Sequence, residues 1–135
     1  MTTALVFTSK FGATRTAAEY IAKALDADLF DLKQGSPSIA DHDTVIFGSG
    51  IYMGRMPRSM RAFISACTEA IAGKKVAVFV CCTLNGEKAE KQLAAVTESM
   101  CNVEASAYLC SKQKRKEGID MEAADAFIGS VRSIG

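Results

Sequence analysis

Short, continuous apolar runs alternate with amphipathic stretches along the whole chain, and this alternation restricts the fold more than any other feature of the sequence. Ala4-Leu5-Val6-Phe7, Thr44-Val45-Ile46-Phe47-Gly48 and Lys75-Val76-Ala77-Val78-Phe79-Val80-Cys81-Cys82 are apolar at odd and even positions alike, as strands buried on both faces must be. Leu29-Phe30-Asp31-Leu32 is a weaker strand suited to an edge, and residues 103–110 supply a fifth. Between the strands, apolar residues recur at helical spacing. Ala17, Ala18, Ile21 and Leu25 predict a helix over 14–25, and Met60, Phe63, Ile64, Cys67 and Ile71 predict one over 57–71, with Pro57 in its first turn. Ala89, Leu93, Val96 and Met100 follow a cap at Asn85, and Ala124, Phe127, Ile128 and Val131 follow a cap at Asp120. Residues 33–43, with Gly35, Ser36 and Pro37, are a loop with room for one helical turn.

The order βαβ(α)βαβαβα requires a parallel sheet with helices on both faces, because each crossover must carry the chain back over the sheet. Five strands fit in 135 residues as a single α/β domain, 1–135, and the doubly wound order is 2-1-3-4-5. A ligand belongs at the carboxyl ends of strands 1 and 3, where the winding reverses. A net charge of +1 argues against non-specific nucleic-acid or membrane binding. No apolar run approaches the ~18 residues of a membrane span, and the N-terminus reads as a strand rather than a signal peptide.

Three loops stand at the expected site. Loop 8–16, Thr8-Ser9-Lys10-Phe11-Gly12-Ala13-Thr14-Arg15-Thr16, is dense in hydroxyls and opens a helix. A helix N-terminus contributes roughly 0.3–1 kcal/mol to an anion, so converging N–H and O–H donors are needed to hold a phosphate. An ordinary capped turn fits too, since Thr16 and Glu19 have capping-box spacing. There is no P-loop motif, no acidic residue at the ends of strands 1 and 3 for a phospho-acceptor, and no cysteine in the first loop for a phosphatase. Binding of a phosphate therefore fits better than its transfer.

Loop 48–57 holds Gly48, Gly50 and Gly54, whose spacing and position do not match a dinucleotide motif. These glycines let backbone approach a flat ligand, with Ile51, Tyr52 and Met53 as its wall; alternatively these side chains cover the helix below. Loop 82–86, Cys82-Thr83-Leu84-Asn85-Gly86, is small and polar, suited to the edge of a planar ring. The five cysteines contain no C-x-x-C, and His42 is the single histidine, so neither a disulfide framework nor a metal site is expected. Reduced thiols in a cytoplasmic protein follow. Cys81 and Cys82, on alternate faces of a strand, read as structural, and His42 as a surface residue.

The run Val6-Phe7-Thr8-Ser9-Lys10-Phe11-Gly12-Ala13-Thr14 resembles the FMN phosphate loop of flavodoxins, [ST]-x-[ST]-G-x-T, and residues 45–54 resemble their ring-holding strand and loop. The resemblance implies a flavodoxin-like fold with non-covalent FMN. Ser9, Lys10, Phe11, Gly12, Ala13 and Thr14 would surround the phosphate. Ser49, Gly50, Ile51, Tyr52, Met53 and Gly54 would contact the isoalloxazine, with Gly50 or Gly54 at N5, and Cys82, Thr83, Leu84, Asn85 and Gly86 would border the ring. Phe11 departs from the pattern by removing a hydroxyl, and the third loop lacks a covering aromatic. Details of the first two loops look closer to flavodoxin-domain proteins related to menaquinone-dependent protoporphyrinogen dehydrogenase.

Lys10, Arg15, Arg55, Arg58, Lys112, Lys114, Arg115 and Lys116 all follow strands 1, 3 or 5, and would border the cofactor edge. Such a rim would steer an acidic redox partner protein or a small anionic substrate. The expected function is electron transfer through FMN, with no side chain acting as acid, base or nucleophile. An FMN oxidoreductase acting on an anionic substrate such as protoporphyrinogen is the first alternative, and a cofactor-free interaction module is the second. Carrier and enzyme are not separated by sequence.

Overall fold

The computed structural model describes residues 2–9, 13–35, 37–50, 56–82, 86–98, 100, 103–110 and 121–134. Strands β1 (Thr3–Thr8), β2 (Asp28–Asp31), β3 (Thr44–Gly50), β4 (Lys75–Cys82) and β5 (Val103–Cys110) form one parallel sheet in the order β2-β1-β3-β4-β5. Helices α1 (Ala13–Leu25), α2 (Arg58–Ala66), α3 (Thr68–Ile71), α4 (Gly86–Glu98) and α5 (Met121–Ile134) connect and flank the strands. The doubly wound α/β class and its strand order are as the alternation requires. Sequential parallel strands can be joined only by crossovers, and each crossover here carries a helical segment or turn.

The three inner strands β1, β3 and β4 read as apolar runs because each feeds two cores. One face places Leu5, Phe7, Ile46, Ala77, Phe79 and Leu109 against Ala17, Ala18 and Ile21 of α1 and Ala124, Phe127, Ile128 and Val131 of α5. The other places Ala4, Val6, Val45, Phe47, Val76, Val78 and Val80 against Met60 and Phe63 of α2, Ile71 of α3 and Val96 of α4. Each fully buried aliphatic or aromatic side chain contributes roughly 1.5–3 kcal/mol by leaving water. Edge strand β2 is short and half exposed, so its sequence carries fewer apolar residues.

Four local expectations are corrected. The single helix expected over 57–71 is two, broken at Cys67, whose φ/ψ of −96°/6° leaves the helical region. The Thr68 hydroxyl donates to the Ser65 carbonyl at 2.9 Å and competes for the backbone there. Leu32 leaves the second strand for a 3-10 turn, Leu32–Gln34, capped by Asp31 Oδ1, which accepts from the Lys33 N–H at 3.0 Å. Met100 packs against the second core but lies beyond the end of α4. His42 is buried, not on the surface: its Nε2 lies 2.8 Å from Asp28 Oδ2 and its ring meets Phe30 edge-on.

Gly48 has a different reason for being glycine from the one its loop suggests. A Cβ built there would lie 2.2 Å from the Phe79 ring, its register partner on β4. The missing side chain makes room for a core aromatic, not for a ligand.

Candidate functional site

Six polar residues are buried among the described ones, and they divide between the two ends of the sheet. Thr8, Ser9, Thr14 and Ser49 lie at the carboxyl end of β1 and β3 and in the first turn of α1; His42 and Thr44 lie at the amino end. Four buried hydroxyl residues at this one end of the sheet make it polar. Thr8 and Ser49 are register partners across β1 and β3, the pair of strands at which the winding reverses. Thr14, 2% exposed, follows the first residue of α1.

The first turn of α1 holds no acidic residue. Its positive dipole end is therefore left for an anion supplied from elsewhere. With Ser9 and Thr14 at either side, the donor set is neutral hydroxyls plus backbone N–H groups, and no carboxylate among them would repel a phosphate. Those residues fit the phosphate end of FMN. Ala13 begins α1 and Gly86 begins α4, while Cys82 ends β4, so the backbone positions of all three lie at the carboxyl end of the sheet. Lys10, Phe11, Gly12, Ile51, Tyr52, Met53, Gly54, Thr83, Leu84 and Asn85 lie outside the described residues.

The ends of the two principal loops are held by hydrogen bonds. Ser49, fully buried, donates its hydroxyl to the Gly50 carbonyl at 3.0 Å, where β3 gives way to the second loop. At the other end of that loop the Met56 carbonyl accepts from Arg61 Nε at 3.1 Å, and the Met56 side chain is buried in the second core. Ser49 and Gly50 thus belong to the strand rather than to the loop. The first loop is bracketed likewise. Lys33 Nζ donates to the Ser9 carbonyl, and Arg15 in the first turn of α1 pairs with Asp31 at 2.6 Å. The Arg15 guanidinium also lies 5.3 Å from the centre of the Phe7 ring.

Lys33 was not among the basic residues that the sequence places at this edge. Its only sequence signal is the Asp31-x-Lys33 spacing of a capped turn, which says nothing of a reach to Ser9, 24 residues away. Of the expected rim, Arg15 is neutralised by Asp31 and Arg58 is exposed at the start of α2. Lys10, Arg55, Lys112, Lys114, Arg115 and Lys116 lie outside the described residues.

Burial pushes the Cys67 thiol pKa up, which disfavours a reactive thiolate. Cys81 packs in the α1/α5 core, as the structural reading expects. No group of three or more possible metal ligands occurs among the described residues, and no helix there is long and apolar enough to cross a membrane. A groove of about 310 Å3 runs along α2 and α3, lined by Met56, Arg61, Ile64, Ser65, Thr68, Ile71 and Met100.

Comparison with known proteins bears on this arrangement. The profile of the flavodoxin domain matches residues 4–132. Flavodoxin 2 from Bacillus cereus is 21% identical, with a TM-score of 0.74 and both chains covered completely. The flavodoxin of Streptococcus pneumoniae TIGR4 is 18% identical at the same TM-score, again over both whole chains. Rubredoxin:oxygen oxidoreductase from Desulfovibrio gigas, 15% identical with a TM-score of 0.71, is matched over 98% of this chain and 36% of its own length. At these identities the likenesses establish the fold. No curated protein sequence matches the chain. These findings support the flavodoxin resemblance and add nothing for the narrower likeness to protoporphyrinogen dehydrogenase.

Proposed function

The chain belongs to the flavodoxin domain family, and from that premise we propose that it binds FMN at the carboxyl end of β1 and β3 and transfers electrons through it. The observation that carries this reading is the gathering of Thr8, Ser9, Thr14 and Ser49, all buried, where the sheet winding reverses beside an acid-free helix N-terminus. FMN, when bound, supplies the redox chemistry through its isoalloxazine. The chain's own residues hold and orient it. Ser9, Thr14 and the first-turn amides of α1 take the phosphate. The second loop, entered from Gly50 at the end of β3, takes the ring, and the Ser49 hydroxyl holds the Gly50 carbonyl in place. The third loop, entered from Cys82 and left at Gly86, borders the ring on the other side.

Arg58, exposed at the start of α2, and the basic residues of the loops after β1, β3 and β5 favour an acidic redox protein or a small anionic molecule as the partner. A similar fold makes up about a third of rubredoxin:oxygen oxidoreductase, so the domain also serves inside larger redox proteins. The deciding experiment is the visible spectrum of the purified protein. A bound flavin that is released as FMN on denaturation supports the proposal; a colourless protein that fails to quench added FMN refutes it.

A further inference from the structure

The groove along α2 and α3 sorts its lining by chemistry. Its floor is apolar: Met56 and Ile71 are buried, and Ile64 and Met100 are half-buried against the second core. Its rim is polar, with Arg61, Ser65 and Thr68 exposed. Arg61, Ile64, Ser65 and Thr68 follow the three- and four-residue spacing of one helical stripe, and Thr68 carries that stripe across the break at Cys67. The half-buried Ile64 and Met100 leave apolar surface in water that a ligand would cover. At about 310 Å3 the groove suits a small molecule, since ligand pockets run from roughly 300 to 1,000 Å3. None of Thr8, Ser9, Thr14 and Ser49 lines it, so it is a second site.

Arg61 decides the charge of the occupant. Its Nε donates to the Met56 carbonyl at 3.1 Å, which orients the planar guanidinium and leaves its terminal N–H groups for another partner. Among the described residues no carboxylate lies within salt-bridge range of Arg61, whereas Arg15 has Asp31. Helix α2 holds no acidic residue, and Arg58 and Arg61 both stand near its N-terminus, the positive end of the helix dipole. Cations at that end are disfavoured by the dipole and by each other, so an anion there relieves both. The Thr68 hydroxyl donates to the Ser65 carbonyl at 2.9 Å, back into its own backbone. The strongest donors in the groove are therefore at Arg61, and its apolar surface lies toward Ile71 and Met100.

We infer that this groove binds a small amphipathic carboxylate, its head in the Arg61 fork and its hydrocarbon body along Ile64, Ile71 and Met100. A carboxylate matches the guanidinium with two parallel hydrogen bonds, which a neutral head group cannot do. The helical rise from Arg61 to Thr68 is on the order of 10 Å, so the groove extends well past the head group. Met56 and Met100, unbranched and polarisable, adapt to hydrocarbon bodies of differing shape.

The test uses the full chain, titrated with octanoate and with its uncharged counterpart octanol, with and without saturating FMN, and followed by backbone amide NMR shifts. Octanoate is expected to move the amides of Arg61, Ile64, Ser65, Thr68 and Ile71 saturably, whether or not FMN is present. Its affinity should exceed that of octanol by at least about fivefold. Arg61→Met should weaken octanoate roughly tenfold and octanol less than about twofold, with Arg61→Lys in between. Ser65→Phe, which sets a ring in the groove, should weaken both. A thermal melt shows that each variant is folded. Octanoate affinity unchanged within about twofold in Arg61→Met overturns the inference, and so does competition between octanoate and FMN. Absence of saturation in the wild type overturns it too. A dimer in sedimentation that Ser65→Phe dissolves would give the groove to a second copy of the chain and likewise end the inference. Should Arg61→Met fail to fold, equal wild-type affinities for octanoate and octanol overturn it.

Discussion

At the carboxyl end of the sheet, Thr8, Ser9, Thr14 and Ser49 are buried beside a helix N-terminus and two loops; at the amino end, His42 and Thr44 are buried beneath a segment that the chain fastens down itself. Lys74 Nζ donates to the carbonyls of His42 at 2.5 Å and Ala40 at 3.1 Å, and the Thr2 carbonyl accepts from the amides of Asp43 and Thr44. His42 Nε2 is taken by Asp28, while its Nδ1 and the Thr44 hydroxyl are buried without a partner among the described residues. The amino end is thus polar, and most of these hydrogen bonds seat the segment before β3, with His42 Nδ1 and the Thr44 hydroxyl left over. At the carboxyl end the fastenings fall on the flanks of the loops, at Ser9, Gly50 and Met56, and the α1 dipole has no acidic residue of its own. Buried polarity alone does not make a site. What distinguishes one is polarity that converges on a helix terminus and on loops whose ends are fixed.

Three substitutions press on that contrast. The largest effect belongs to Gly48→Ala, which tests whether this glycine serves the core rather than the ligand. The added methyl would overlap the Phe79 ring, itself packed edge-on against Phe127. Overpacking of this kind costs about 1–3 kcal/mol or more, to be read as a lowered urea midpoint, and Phe79→Leu in the same chain should recover part of it. A midpoint equal to the wild type would return Gly48 to the ligand-approach reading. His42→Ala comes next. Losing a buried ring and its bond to Asp28 should cost about 2 kcal/mol in urea denaturation.

Tyr20→Phe gives the smallest effect, on a clip between α1 and α5. The Tyr20 hydroxyl donates to Asp125 at 2.5 Å, and that hydrogen bond, with burial and then the carboxylate's charge, raises the phenol pKa above its ordinary 10.0. The protonated phenol is the form favoured by folding. The clip's contribution is therefore complete below pH 10.0 and lost as pH rises through the higher folded value. Melting temperature against pH should fall more gently on the alkaline limb for Tyr20→Phe than for the wild type, and parallel limbs would remove the clip.

What the sequence discloses follows from how far apart the interacting residues lie. Strands buried on both faces advertise themselves locally, so Lys75–Cys82 is bounded from its apolar run alone. The doubly wound order follows because parallel crossovers leave few other arrangements. The burial of Ser9 and Thr14 at the end of β1 and in the first turn of α1 is a near-neighbour feature of the same kind. Long-range pairings were not legible. His42 reads as surface until Asp28, 14 residues earlier, is brought to its ring. Gly48 reads as a ligand glycine until β4 sets Phe79 against it, and the Lys33 contact depends on β2 lying next to β1. The helix over 57–71 kept its apolar stripe but broke at Cys67, because periodicity records which face is buried and not whether the axis is continuous.

The central claim is that the carboxyl end, and not the amino end, holds a phosphorylated flavin. Titration of flavin-free protein with FMN, in wild type, Thr14→Val and His42→Ala, tests it most directly. The account predicts saturable binding by the wild type, a loss of about fivefold to tenfold in Thr14→Val, and no change in His42→Ala at temperatures where each variant stays folded. Affinity indifferent to Thr14 but lost with His42 would contradict it.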